Sequence, residues 1–186
     1  MTKRVTIEAL AEWLRDRDDI VLMGHVNPDG DAAGSCLGLC FALRALGKRA
    51  VVCLPGGVPK LYAHLPGTDR VIPAGEPLPF QPQTAFAVDV SDAPRLGEAG
   101  IALFERCVHR AVLDHHATNQ GFGQVMLLDG SAAAAGEMAV DLIGAMGVGL
   151  NPDMAECLFV AISTDCGQFN FSNTRSETFI DRKSVV

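Results

Sequence analysis

No stretch of eighteen apolar residues occurs in this 186-residue chain, so no transmembrane helix is expected. The six cysteines, at positions 36, 40, 53, 107, 157 and 166, never form a C-x-x-C pair, and most stand in apolar surroundings. That pattern argues against a cysteine metal site or a disulfide frame. It reads instead as reduced, core-filling thiols in a cytoplasmic protein. No secretory apolar core opens the chain, because Lys3, Arg4, Glu8, Glu12, Arg15, Asp16, Arg17, Asp18 and Asp19 crowd it with charge. No basic run or arginine-rich helix is present, which excludes the usual footprint of duplex DNA binding. The net charge of −7 is equally unhelpful for gripping a long phosphate backbone. A G-x-S-x-G nucleophile elbow is also missing. Ser35, Ser91 and Ser163 therefore read as helix or turn residues.

What remains is a chain that is 48% hydrophobic, enough for a sizeable core, of a length suited to one domain or a domain plus part of another. Its most informative segment is Gly24 to Ala32, G-H-V-N-P-D-G-D-A, which follows the apolar run Ile20-Val21-Leu22-Met23. Proline and glycine turn the chain at the end of that short strand. Asp29 and Asp31 repel each other when ionised, and burial would raise their pKa values unless a cation compensated. Carboxylates with an imidazole, here His25, suit a divalent ion such as Mn²⁺, Mg²⁺, Zn²⁺ or Fe²⁺. The plain alternative is a solvated turn, since Asn, Pro, Asp and Gly are common turn formers.

Strand-like and helix-like patterns alternate along the chain. Helical spacing covers Thr6 to Asp16, with Thr6 as cap, then Asp31 to Leu46, Ala132 to Met146 and Met154 to Thr164, with a short helix near Lys60 to His64. Apolar strands are expected at Ile20 to Met23, Arg49 to Leu54, Ala85 to Val90, Arg110 to Leu113 and Val125 to Leu128. Continuous apolar strands between helices indicate an α/β fold, a five-stranded parallel sheet of order 2-1-3-4-5 with helices on both faces. Ligands bind such sheets at the carboxyl ends of the strands, around the switch point. Asp89 ends the third strand there, Asp114-His115-His116 ends the fourth, and the last helix runs into Asp165. One such aspartate is an ordinary cap; four acidic or histidine-bearing ends converging on one crevice are a site. With Asp29, Asp31, Asp89 and Asp165 around metals, four of the seven excess negative charges sit together, leaving −3 elsewhere. Two divalent ions would neutralise those four, so an acidic protein can still hold a phosphorylated substrate.

G-H-V-N-P-D-G-D-A, V-D-V, D-H-H with Asn119 and Phe122-Gly123, and T-D-C-G-Q-F-N-F-S-N-T resemble, in order, the four motifs of the DHH phosphoesterase family. The resemblance spans roughly residues 6–180 and is nearest to the branch of bacterial oligoribonucleases that also dephosphorylate 3′-phosphoadenosine 5′-phosphate. It implies two divalent ions, Mn²⁺ first among them. His25, Asp29 and Asp89 would bind one, and Asp31, Asp89, His115 and Asp165 the other, with Asp89 bridging. His116 would face the phosphate, and Asp114 would orient a neighbouring histidine. Ions ~3.5–4 Å apart would activate a water and clamp the attacking and leaving oxygens. The substrate implied is a short single-stranded oligonucleotide or a nucleotide, with neither duplex DNA nor membrane as partner.

Some positions depart from the family pattern. Cys166 stands where threonine is common, Asn170 where longer polar or basic residues are frequent, and Ala132 to Ala135 supply no hydroxyl. None is a ligand position. Complete relatives carry a smaller C-terminal substrate-binding domain. The expected division is therefore a catalytic domain over 1–180 and a truncated or non-native tail over 181–186, with that second domain missing. The alternatives to the phosphoesterase are a manganese-dependent pyrophosphatase and a metal-binding but nearly inactive fragment.

Overall fold

The computed structural model describes residues 1–184, the side chains of 181–184 excepted. In chain order its elements are β1 (Lys3–Arg4), α1 (Ile7–Arg15), β2 (Ile20–Met23), α2 (Gly30–Ala45), β3 (Ala50–Leu54), β4 (Ile72–Pro73), β5 (Thr84–Val88), α3 (Gly97–Arg106), β6 (His109–Asp114), β7 (Val125–Leu128), α4 (Ala135–Ala145), α5 (Pro152–Asp165) and α6 (Ser176–Ser184). The change of character expected at 181–186 falls on side chains outside the described residues and, at 185 and 186, outside them altogether. No helix among the described residues is long and apolar enough to cross a membrane.

All strands pair in parallel, in the order β1-β7-β6-β5-β2-β3-β4. The five inner strands keep the expected order, but the sheet has seven strands, not five. The two additions, β1 and β4, are edge strands of two residues each, too short to carry any periodicity. Helix α3 is a second departure from expectation. Gly97 and Gly100 within its ten residues dilute the helical pattern.

Side-chain alternation along each strand divides the core. Ile20 and Leu22 face the layer of α1, α2, α4 and α5, together with Phe86, Leu113 and Leu127. Val21 and Met23 face α3, against Leu103 and Phe104. Both faces are covered, so the middle of each inner strand is apolar without alternation. The Thr6 hydroxyl caps α1 by accepting from the Ala9 N–H at 3.3 Å.

Helices α2 and α5 lie antiparallel and unusually close. Gly30, Gly34 and Gly38 form one stripe of α2, and a Cβ at each would collide with Thr164, the Cys157 carbonyl oxygen and Leu158 respectively. This contact sets the C-terminal end of α5, with Asp165, beside the N-terminal turn of α2, with Asp31.

Candidate metal centre

After β2 the chain crosses to β3 on one side, and it later returns to β5 on the other. The switch point therefore lies between the carboxyl ends of β2 and β5. His25 leaves the first of these ends and Asp89 the second, and His25 Nε2 stands 3.5 Å from Asp89 Oδ2. Asp29 Oδ2 is 3.6 Å from the same nitrogen. On the other side of Asp89, His115 Nε2 is 3.6 Å from its Oδ1, 3.5 Å from Asp165 Oδ2 and 3.9 Å from Asp31 Oδ2. All six residues predicted as ligands thus meet in one crevice. They form two groups, His25–Asp29–Asp89 and Asp31–His115–Asp165, with Asp89 between them.

The donors fit divalent ions on three counts. Separations of 3.5–3.6 Å are too long for good N–H···O bonds. Two ligands of one ion, each about 2.1 Å from it, stand about 3.0–3.4 Å apart, close to what is seen. The histidine tautomers agree. His25 Nδ1 donates to the Val26 carbonyl at 2.8 Å and His115 Nδ1 to the Ala132 carbonyl at 3.2 Å. A carbonyl only accepts, so in each neutral ring the lone pair sits on Nε2, among the carboxylates. Finally, Asp89 Oδ1 is buried without a hydrogen-bond partner, a costly state for a carboxylate unless a cation faces it.

Without a cation the charges are badly matched. Burial pushes the Asp31 carboxyl well above its usual range, and the Asp89 and Asp165 charges add to the effect. Asp165 is raised by burial as well, with His115 opposing. Burial alone would lower the His25 pKa, but Asp29 and Asp89 outweigh it and push it up to about 10. A proton on His25 then stands in for a metal.

Local structure explains each placement. Asp29 is the N-cap of α2, its Oδ1 accepting from the Asp31 and Ala32 N–H groups at 3.0 Å each, while Oδ2 faces His25. One oxygen of Asp29 thus caps the helix while the other faces His25. Asp31 is fully buried in the first turn of α2 and accepts from the N–H groups of Ala135 at 2.6 Å and Gly136 at 2.9 Å. It thereby caps α4, whose own N-cap position is an alanine. Asp89 has φ of 57°, left-handed backbone that aspartate tolerates better than most residues.

Asp114 is fully buried, and its Oδ1 accepts from His116 Nδ1 at 2.8 Å. His116 lies beside His115, ring centroids 4.6 Å apart, and is half-exposed. His64 is exposed, and His109 packs edge-on against Trp13. All six cysteines are free and buried.

Sequence reasoning passed over two residues of this region. Ser35, read as a helix or turn residue, donates from Oγ to Asp31 Oδ1 at 2.9 Å. Its position one helical turn after Asp31 was the available signal. Asn119 entered as a motif letter without a role, yet it binds Asp114 directly.

The fold and this crevice define an α/β protein with a two-part histidine–carboxylate centre at the switch point of its sheet. The model of the DHH family, N-terminal domain, matches residues 19–162, and the chain belongs to that family. It is 38% identical over 159 residues to the bifunctional oligoribonuclease and PAP phosphatase NrnA of Thermus thermophilus, covering 85% of this chain and 46% of that protein. The protein of the same description from Bacillus subtilis is 27% identical, with 87% and 50% covered. An exopolyphosphatase-related protein from Bacteroides fragilis superposes with a TM-score of 0.87 at 24% identity, over 96% of this chain and 55% of that one. The chain spans about half the length of the relatives it matches.

Proposed function

We propose that the chain carries the catalytic centre of a phosphoesterase that hydrolyses short oligonucleotides and nucleoside 3′,5′-bisphosphates. The observation behind this reading is Asp89, whose two oxygens serve two histidine–carboxylate groups at one strand end. His25, Asp29 and Asp89 would hold one divalent ion, and Asp31, Asp89, His115 and Asp165 a second. Carboxylate and imidazole donors without thiolates make Mn²⁺ the first ion to test. When bound, such ions lower the pKa of a water and offset the charge of the phosphoryl group. The similarity to the Thermus thermophilus protein supports the substrate class.

The protein's own part is positioning and proton handling. With Nδ1 held by Asp114, His116 presents Nε2 to the substrate. The hydrogen bond that His116 donates to Asp114 raises the His116 pKa above the usual imidazole value despite burial. A protonated ring would carry its second proton at Nε2, where it can pass to the leaving oxygen.

The test is an assay of the purified chain with Mn²⁺ against a dinucleotide, a nucleoside 3′,5′-bisphosphate and pyrophosphate. Turnover of the first two is expected, lost with a chelator and reduced at least about 100-fold by Asp31→Asn. Faster turnover of pyrophosphate would instead favour a pyrophosphatase, and turnover indifferent to chelation would refute the metal reading.

A further inference from the structure

The geometry points to Asn119 as a positioning residue that locks Asp114, and through it His116, and ties this unit to the strand end bearing Asp89. Asn119 is fully buried. Its Nδ2 donates to Asp114 Oδ2 at 2.8 Å and to the Val90 carbonyl at 2.9 Å, and its Oδ1 accepts from the Gly121 N–H at 2.8 Å. Both carboxamide protons and the carboxamide oxygen are used. The amide orientation follows from chemistry alone, because a carboxylate and a carbonyl can only accept and an N–H can only donate.

These bonds close a ring. The Asn119 N–H donates to the His116 carbonyl at 2.9 Å. The Asn119 side chain holds one oxygen of Asp114, and the other oxygen of Asp114 holds His116 Nδ1. Asp114 is thus fixed from both sides and cannot turn about its terminal torsion without breaking one bond. Through Val90 the same carboxamide grips the residue that follows Asp89, whose left-handed backbone sits where β5 ends. One buried side chain therefore sets the relation between two adjacent strand ends, one with the central carboxylate and one with the histidine pair. The side-chain partners of Asn119 are Asp114, Val90 and Gly121, none of them a predicted ligand, so it acts through Asp114.

This inference rests on the phosphoesterase reading for its consequence in turnover but not for its structural part. In the unmutated, metal-free chain, long-range ¹H–¹⁵N NMR is expected to show that neutral His116 keeps its proton on Nδ1, and that the Asn119 carboxamide protons exchange slowly. A neutral ring whose single proton sits on Nε2, or a freely exchanging carboxamide, overturns the lock without any variant. In the Mn²⁺-loaded chain, Asn119→Ala is expected to lower kcat about 10–100-fold and to leave KM within about twofold. In an Asp114→Asn background the same substitution should change kcat by less than about threefold, because the path it acts through is already cut. Equal losses in both backgrounds would mark a fold-wide defect and overturn the proposal, as would an unchanged kcat. Should Asn119→Ala not fold, the isosteric Asn119→Asp, which turns lone pairs toward Asp114 and Val90, replaces it with the same expectations. An inactive parent chain would count against the phosphoesterase reading, and the NMR measurement would still decide the lock.

Discussion

Asp29 divides its two oxygens between a helix cap and His25, and Asp89 divides its own between two histidines. The difference predicts different phenotypes. Asp89→Asn should weaken binding at both ion positions, whereas His25→Ala should chiefly weaken one, as resolved by metal titration calorimetry. Single-site losses of equal size would contradict the shared role. A pH dependence follows from the same residues. The raised carboxyls of Asp31 and Asp165 favour the protonated folded form, so in the metal-free chain their contribution to stability is lost as pH rises through those raised values. His25 contributes stability below its ordinary value of 6.5 and loses it as pH rises through about 10. A divalent ion must displace these protons, so its affinity should rise with pH, by about tenfold per unit for each proton released. The rise in Tm caused by Mn²⁺ should accordingly be larger near about pH 8 than near about pH 5.5; a flat profile would count against the assignment. At this scale the convergence of these side chains was legible in the sequence because histidine and aspartate stood at successive strand ends. Ser35 and Asn119 were not, because a serine inside a helix and an asparagine in a loop each have commoner structural explanations.

The glycine stripe of α2 shows how an element can hold a site together without touching its chemistry. Close packing on α5 brings Asp165 to Asp31. At Gly34 an added Cβ would meet a backbone carbonyl, which cannot swing aside. Gly34→Ala should therefore cost about 1–3 kcal/mol in urea unfolding and weaken ion binding as well. Gly144, exposed near the end of α4, has nothing within 4 Å of an added Cβ. Gly144→Ala should stabilise by about 0.5–1 kcal/mol through helix propensity alone, leaving ion binding untouched. The inner strands were readable because burial on both faces demands unbroken apolar runs. Helix α3 was not, since its glycines mask the period, and neither were β1 and β4, since two residues carry no period at all.

For the whole molecule, the share of its relatives' length that the chain spans bears on rate and selectivity. Binding energy from parts of a nucleotide remote from the reacting phosphate helps position it for reaction. Assayed by themselves, the 186 residues should hydrolyse a small activated phosphodiester slowly with Mn²⁺, with little preference among nucleotides. Fusion to the C-terminal half of the Thermus thermophilus relative should bring rate and preference toward dinucleotides; efficient, selective cleavage by the chain alone would show that specificity already lies within it. The two edge strands that the sequence hid have a meaning at this scale too. An all-parallel sheet presents an open ladder of backbone donors and acceptors at each side, and a stray strand from another molecule can zip onto it. Here one border is a pair of exposed cations, Lys3 and Arg4, and the other ends in exposed Pro73, which has no N–H to offer. An incoming strand would meet charge at one side and a missing donor at the other. The sheet thus carries its own protection against fibril growth at its two narrowest elements, well away from the switch point where the chemistry sits.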